Sequence, residues 1–138
     1  MILNTLIHYN QSPKVFINGA INWLSDVCRV VLVNDSYVPD LNHTSLDDVN
    51  ENYIVSSMVF LSNRSINNDM MSADNVVFNN LTATFRYIIM YCDKVNAGPD
   101  LLIRPLIGYY DLGSNLIIES ADYPISFSTN GIITLGRS

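Results

Sequence analysis

The 138-residue sequence predicts an all-β fold, an antiparallel β-sandwich or jelly-roll-like barrel with one or two short helices. Three observations predict it. Short β-branched and aromatic runs recur along the chain, most firmly over residues 27–34 and 82–91. Clusters of Asn, Asp, Ser, Gly and Pro separate these runs, and helical periodicity is nearly absent. The composition, 49% hydrophobic and 14% charged, is that of a chain that folds around a core, and no apolar run reaches the ~18 residues of a membrane-spanning helix. The expected division is an N-terminal arm and short helix over residues 1–16 and a single β-sandwich domain over residues 17–138.

Taken in order, residues 1–10 are strand-like and apolar with no evident internal partner, which makes Ile2, Leu3, Leu6 and Ile7 the expected assembly interface. They lack the basic start and small-residue cleavage site of a secretory signal. Ser12-Pro13 reads as an N-cap followed by Pro at the first helical position, and Gly19 stands where that helix stops. Trp23, the only Trp, is the expected core anchor. Residues 27–34 form the first firm strand, ended by Pro39 and its polar neighbours. Thr44 or Ser45 is placed to cap one helical turn, with Asp47 and Asp48 at its positive end.

Residues 53–62 alternate as a strand would, with both faces partly covered. A short strand is expected at 76–78 and a central one at 82–91, where Thr82, Thr84, Arg86, Ile88 and Met90 share one side and Ala83, Phe85, Tyr87, Ile89 and Tyr91 the other. Further strands are expected at 106–111 and 116–118. Asn130-Gly131 between residues 125–128 and 132–135 predicts a closing hairpin.

The chemistry-bearing residues do not converge on a reaction. The net charge is −6 and the seven basic residues are scattered, which argues against a nucleic-acid partner. No Ser sits in a G-x-S-x-G elbow, and His8 and His43 share no metal-ligand spacing with acidic residues. Asp47, Asp48 and Glu51 read as caps in preference to a metal or paired-carboxylate site. Residues 93–98 miss the alternate-position ligands of a calcium loop. Cys28 and Cys92 are expected as buried free thiols, with a bridge open to them if their strands face each other. Tyr37, Tyr109, Tyr110 and Tyr123 flank turns and strand ends, where exposed rings would stack on sugars. These readings leave no catalytic residue, no cofactor, no metal and no membrane partner to name.

The run Phe16-Ile17-Asn18-Gly19-Ala20-Ile21-Asn22-Trp23-Leu24-Ser25-Asp26, then Arg29-Val30-Val31-Leu32-Val33 and Ser36-Tyr37-Val38-Pro39-Asp40, resembles a family of small structural proteins of tailed bacteriophages. Those proteins often begin with an I-N/D-W-L-S-D element before a K/R-V-x-L strand. Further matches include Asp74-Asn75-Val76-Val77-Phe78, Ala83-Thr84-Phe85-Arg86-Tyr87 and Arg104-Pro105-Leu106-Ile107-Gly108-Tyr109-Tyr110. Residues 53–68 depart from a Gly- and Thr-rich stretch in the relatives, and Cys28 replaces a Thr-like residue. The resemblance implies a non-enzymatic virion protein of the capsid decoration, cement or fibre-associated type. It would be made in the host bacterial cytoplasm with its cysteines reduced, and would pair with capsid or other virion proteins as a homo-oligomer, a trimer above all. The alternative is a glycan- or host-receptor-binding β-sandwich module of a tail or fibre.

Overall fold

The computed structural model describes residues 2–3, 5–68, 70–96, 102–127 and 131–134. In chain order these form strands β1 (Ile2–Leu3) and β2 (Ile7–His8), helix α1 (Ser12–Ile17) and β3 (Cys28–Val33). Two single 3-10 turns follow, Leu46–Asp48 and Glu51–Tyr53. Then come β4 (Val59–Phe60), β5 (Ser65–Asn67), β6 (Met70–Ser72), β7 (Val76–Cys92), β8 (Val95–Asn96), β9 (Leu102–Ile103), β10 (Leu106–Phe127) and β11 (Ile133–Thr134). The fold is all-β and sandwich-like, as the sequence predicts.

The main sheet runs β1-β10-β7-β3-β4, with β2 also on β10. Its spine is the long antiparallel pair β7–β10, extended at the connection by the β8–β9 ribbon. The pairing is antiparallel throughout except for β1, which runs parallel to the end of β10 with Leu3 opposite Phe127. A second sheet, β11-β6-β5, shares a core with one face of the main sheet: Met71 and Ile133 join Trp23, Phe85, Ile88 and Ile107. The opposite face carries a second cluster, in which Val31, Val33, Ile89 and Tyr91 are covered by Tyr9, Tyr37, Leu46 and Val49. β3 therefore reads as a nearly continuous apolar run because both of its faces are covered.

Strict alternation breaks in β7. Phe85 packs in the same cluster as Ile88 and Met90, so it leaves the side of Tyr87 and Ile89 on which period-2 counting places it. The ladder is interrupted at that point: Asp111 pairs with Tyr87 and Leu116 with Phe85, so residues 112–115 stand opposite Arg86 alone, and β7 loses its regular pairing between Phe85 and Tyr87. Asp111 holds the bulge by accepting from the Gly113 N–H at 2.8 Å and the Arg86 Nε at 2.9 Å, and Gly113 supplies the φ of +86° that the kink needs. Such bulges let the expected short strands fuse into two long ones.

Three other expectations are corrected. Residues 53–62 are not a strand beyond Val59–Phe60, because Asn50 caps the turn ending at Tyr53, and the Ser56 hydroxyl accepts from the Leu32 N–H at 2.9 Å in place of a backbone carbonyl. The terminal hairpin is replaced by a longer-range pairing: β11 sets Ile133 opposite Met71 of β6, while residues 128–130 and 135 lie outside the described residues. Ser12 is not the N-cap of α1. Gln11 is, and Ser12 is fully buried with its Oγ 3.0 Å from His8 Nδ1.

Candidate functional site

The N-terminal segment has an intrachain partner, which corrects the reading of a free arm. β2 lies antiparallel on β10 with Ile7 opposite Tyr109. Leu3 and Leu6 are buried in the chain's own core, Ile7 is exposed, and the side chain of Ile2 lies outside the described residues. The approach is possible because residue 108 is Gly. A Cβ there would stand 2.7 Å from both the Ile7 carbonyl oxygen and Leu6 Cγ, closer than packed atoms come. Of the expected interface residues, only Ile7 faces outward among those described.

Trp23 sits where a core anchor should. It is 2% exposed, and its Nε1 donates to the carbonyls of Ser65 at 3.2 Å and Ser72 at 3.1 Å, so the indole ties the turn before β3 to both strands of the β5–β6 hairpin. Phe16 meets it edge-on at 6.3 Å between centroids, and the Arg64 guanidinium lies 6.0 Å over its ring. On the outer side the same residues line a shallow groove of about 220 Å³ bounded by Phe16, Ile21, Trp23, Ile66 and Met71. Ile66, which lines it, is 46% exposed, and Ile17 and Leu24, next in sequence to Phe16 and Trp23, are 76% and 55% exposed.

The tyrosines do not present a sugar-stacking platform. Tyr37, Tyr109, Tyr110 and Tyr123 are all buried, which removes the ring faces that the glycan reading required. Instead the Tyr9 and Tyr37 hydroxyls hydrogen-bond at 2.9 Å, and the Tyr37 hydroxyl lies 2.9 Å from His43 Nδ1. Burial, then the Tyr37 partner, pushes the Tyr9 phenol far up, and burial pushes Tyr37 up as well. Both phenols stay protonated in physiological water. The chain of hydroxyls pins the loop after β3 to the sheet.

Of the three loop carboxylates, Asp48 acts as the cap reading expects. Asp48 accepts from the Thr44 N–H at 2.9 Å and the Ser45 N–H at 3.1 Å, and the Ser45 hydroxyl accepts from the Asp47 N–H at 3.1 Å, completing a capping box. The Thr44 N–H above all holds the Asp48 carboxyl below its usual range. Asp47 pairs with Arg104. Among the described residues no three His, Cys, Asp or Glu side chains gather as a metal site, and no helix is long and apolar enough to cross a membrane.

The remaining cluster lies at the start of β3 and the end of β7. Cys28 stands directly opposite Cys92 of β7, both buried and free, with sulfurs 2.6 Å apart. Beside them Arg64 donates to the Asp26 carbonyl, and Lys94 Nζ reaches Asp26 Oδ2 at 2.8 Å and the Ala20 carbonyl at 2.9 Å. Burial pushes the Asp26 carboxyl up, but the Lys94 hydrogen bond, the Asn22 N–H and the neighbouring cations outweigh it and hold it down. The sequence signal for this cluster was only two Cys residues inside strand patterns; the register that joins them required the fold. Comparisons with protein families, with characterised proteins and with solved structures find no match to this chain.

Proposed function

We propose that this chain is a non-enzymatic structural protein of a tailed-bacteriophage particle, of the capsid decoration or cement type, that associates with itself as a trimer and with capsid or other virion proteins to stabilise the particle. The observation that carries the reading is the apolar rim around Trp23. Ile66 lines a groove shared with Phe16, Ile21, Trp23 and Met71, and Ile17 and Leu24, the sequence neighbours of Phe16 and Trp23, expose large side chains; apolar surface of this kind favours protein contacts. Residues 16–26, which carry the strongest part of the resemblance to phage structural proteins, also supply most of that groove. The contact therefore moves from the N-terminal segment, whose Leu3 and Leu6 are occupied within the chain, to this rim.

The test is the double substitution Leu24→Asp with Ile66→Asp. Both side chains point to solvent, so the variant should keep the far-ultraviolet circular dichroism and melting of the parent. Two carboxylates in a buried apolar contact are costly, so self-association measured by light scattering should be lost. A variant that associates like the parent places the contact elsewhere and ends the assignment of this rim.

A further inference from the structure

We infer that Cys28 and Cys92 form a modification site for a small peroxide: oxidation joins them in an intrachain disulfide that ties β3 to β7, and a thiol reductant reopens it. The register carries the argument. The neighbouring residues Val27 and Asp93 are bonded through the Asp93 N–H and Val27 carbonyl at 2.8 Å, which leaves Cys28 and Cys92 at a non-hydrogen-bonded position of the antiparallel pair. At such positions Cα atoms stand about 4.5 Å apart and side chains approach most closely, inside the window of about 4.4–6.8 Å that a disulfide spans. The two sulfurs face each other across the pair at 2.6 Å.

The surroundings distinguish the two sulfurs. Donation of the Cys92 S–H to Cys28 holds the Cys28 thiol below its usual range, and the adjacent Arg64 guanidinium adds to this against the opposing effect of burial. The same donation, together with burial, pushes Cys92 up. The Arg64 guanidinium hydrogen-bonds Cys28 and acts on Cys92 only through space, so Cys28 is assigned as the attacking sulfur. Its thiolate takes the terminal oxygen of hydrogen peroxide, breaking the O–O bond to give a Cys28 sulfenic acid and hydroxide. The Cys92 sulfur then attacks Cys28, the S–S bond forms as the S–O bond breaks, and the Cys92 proton leaves with the departing oxygen. Two thiols and one peroxide yield one disulfide and two waters. Because both thiols are buried, the site selects a water-sized oxidant over bulky aromatic disulfides.

The experiment treats the reduced, folded protein with hydrogen peroxide, then denatures it in a maleimide and records the intact mass and the proteolytic peptides. The expected product is monomeric, lacks both maleimide labels, and contains a peptide pair joined through Cys28 and Cys92. Its melting midpoint should rise by about 10 °C and return on reduction with dithiothreitol, since the cross-link closes a long loop of the unfolded chain. Cys92→Ala should stop at a Cys28 sulfenic acid that dimedone traps, whereas Cys28→Ala should leave Cys92 unreacted. Two labelled thiols after peroxide, sulfinic acids at either position, cross-linking between chains, or a cross-link that forms only with loss of the fold would each overturn the assignment. The measurement on the unsubstituted protein decides the matter even if a variant fails to fold.

Discussion

Trp23 does two jobs that no other residue type can do together. Its ring fills the space between Phe16 and the second sheet, and its N–H links two carbonyls, of Ser65 and Ser72, that face each other across the β5–β6 hairpin. Trp23→Ala should cost about 3–5 kcal/mol in denaturant unfolding, through lost burial and a cavity. Trp23→Phe should recover part of the packing but leave both carbonyls without that donor, so its cost should remain measurable. His8 makes a second residue-scale prediction. Burial lowers its pKa, so the folded state holds the neutral ring while the unfolded chain protonates near the ordinary value of about 6.5. Protons then bind preferentially to the unfolded state as pH falls, and this destabilisation grows below pH ~6.5 until the folded pKa is reached. His8→Gln should show a flatter stability profile between pH 7.5 and 5.5, and an unchanged slope would remove His8 as its cause.

At the scale of elements, Gly108 decides whether the N-terminal segment belongs to the domain. Gly108→Ala should force the Leu6–Ile7 backbone away from β10, costing about 1–3 kcal/mol and exposing the amides of β2 to hydrogen exchange while β3 and β7 stay protected. Undiminished protection of β2 would show that the strand shifts to accommodate the methyl. The same element shows what the sequence made legible. β3 and the inner part of β7 announce themselves through dense β-branched and aromatic residues, and the Ser45 cap through its side-chain chemistry, because both signals are local. The seat of β2 depends on a glycine 100 residues away in sequence, give or take, whose meaning is a close approach and not a turn. The irregularity at Arg86 breaks the alternation between Phe85 and Tyr87 without altering composition, so counting by twos assigns Phe85 to the wrong side. The Asn130-Gly131 signal is equally local, and it cannot report that Ile133 has a partner in Met71. The candidate site follows the same rule: Trp23 was readable as an anchor, while the groove outside it and the apposition of Cys28 with Cys92 arise only when distant strands meet.

For the whole molecule, the main sheet has both faces covered, and exposed apolar side chains are spread over the described surface, from Ile17, Leu24 and Ile66 to Val38, Val95 and Ile117. An exposed apolar rim beside a rigid sheet suits a protein that works by docking, and a net charge of −6 disfavours indiscriminate association between copies. Symmetric assembly multiplies a modest contact: about 25 cal/mol per Å² of buried apolar surface, repeated at each copy, outweighs ordering costs that a single contact would barely meet. The measurement that tests the proposed particle role most directly is quantitative mass spectrometry of purified tailed-phage particles from a source that carries the coding sequence. The account predicts the protein at a fixed copy number set by particle symmetry, retained through density-gradient purification and reduced in particles assembled with the Leu24→Asp, Ile66→Asp variant. Purified, infectious particles that contain none of it would contradict a structural role.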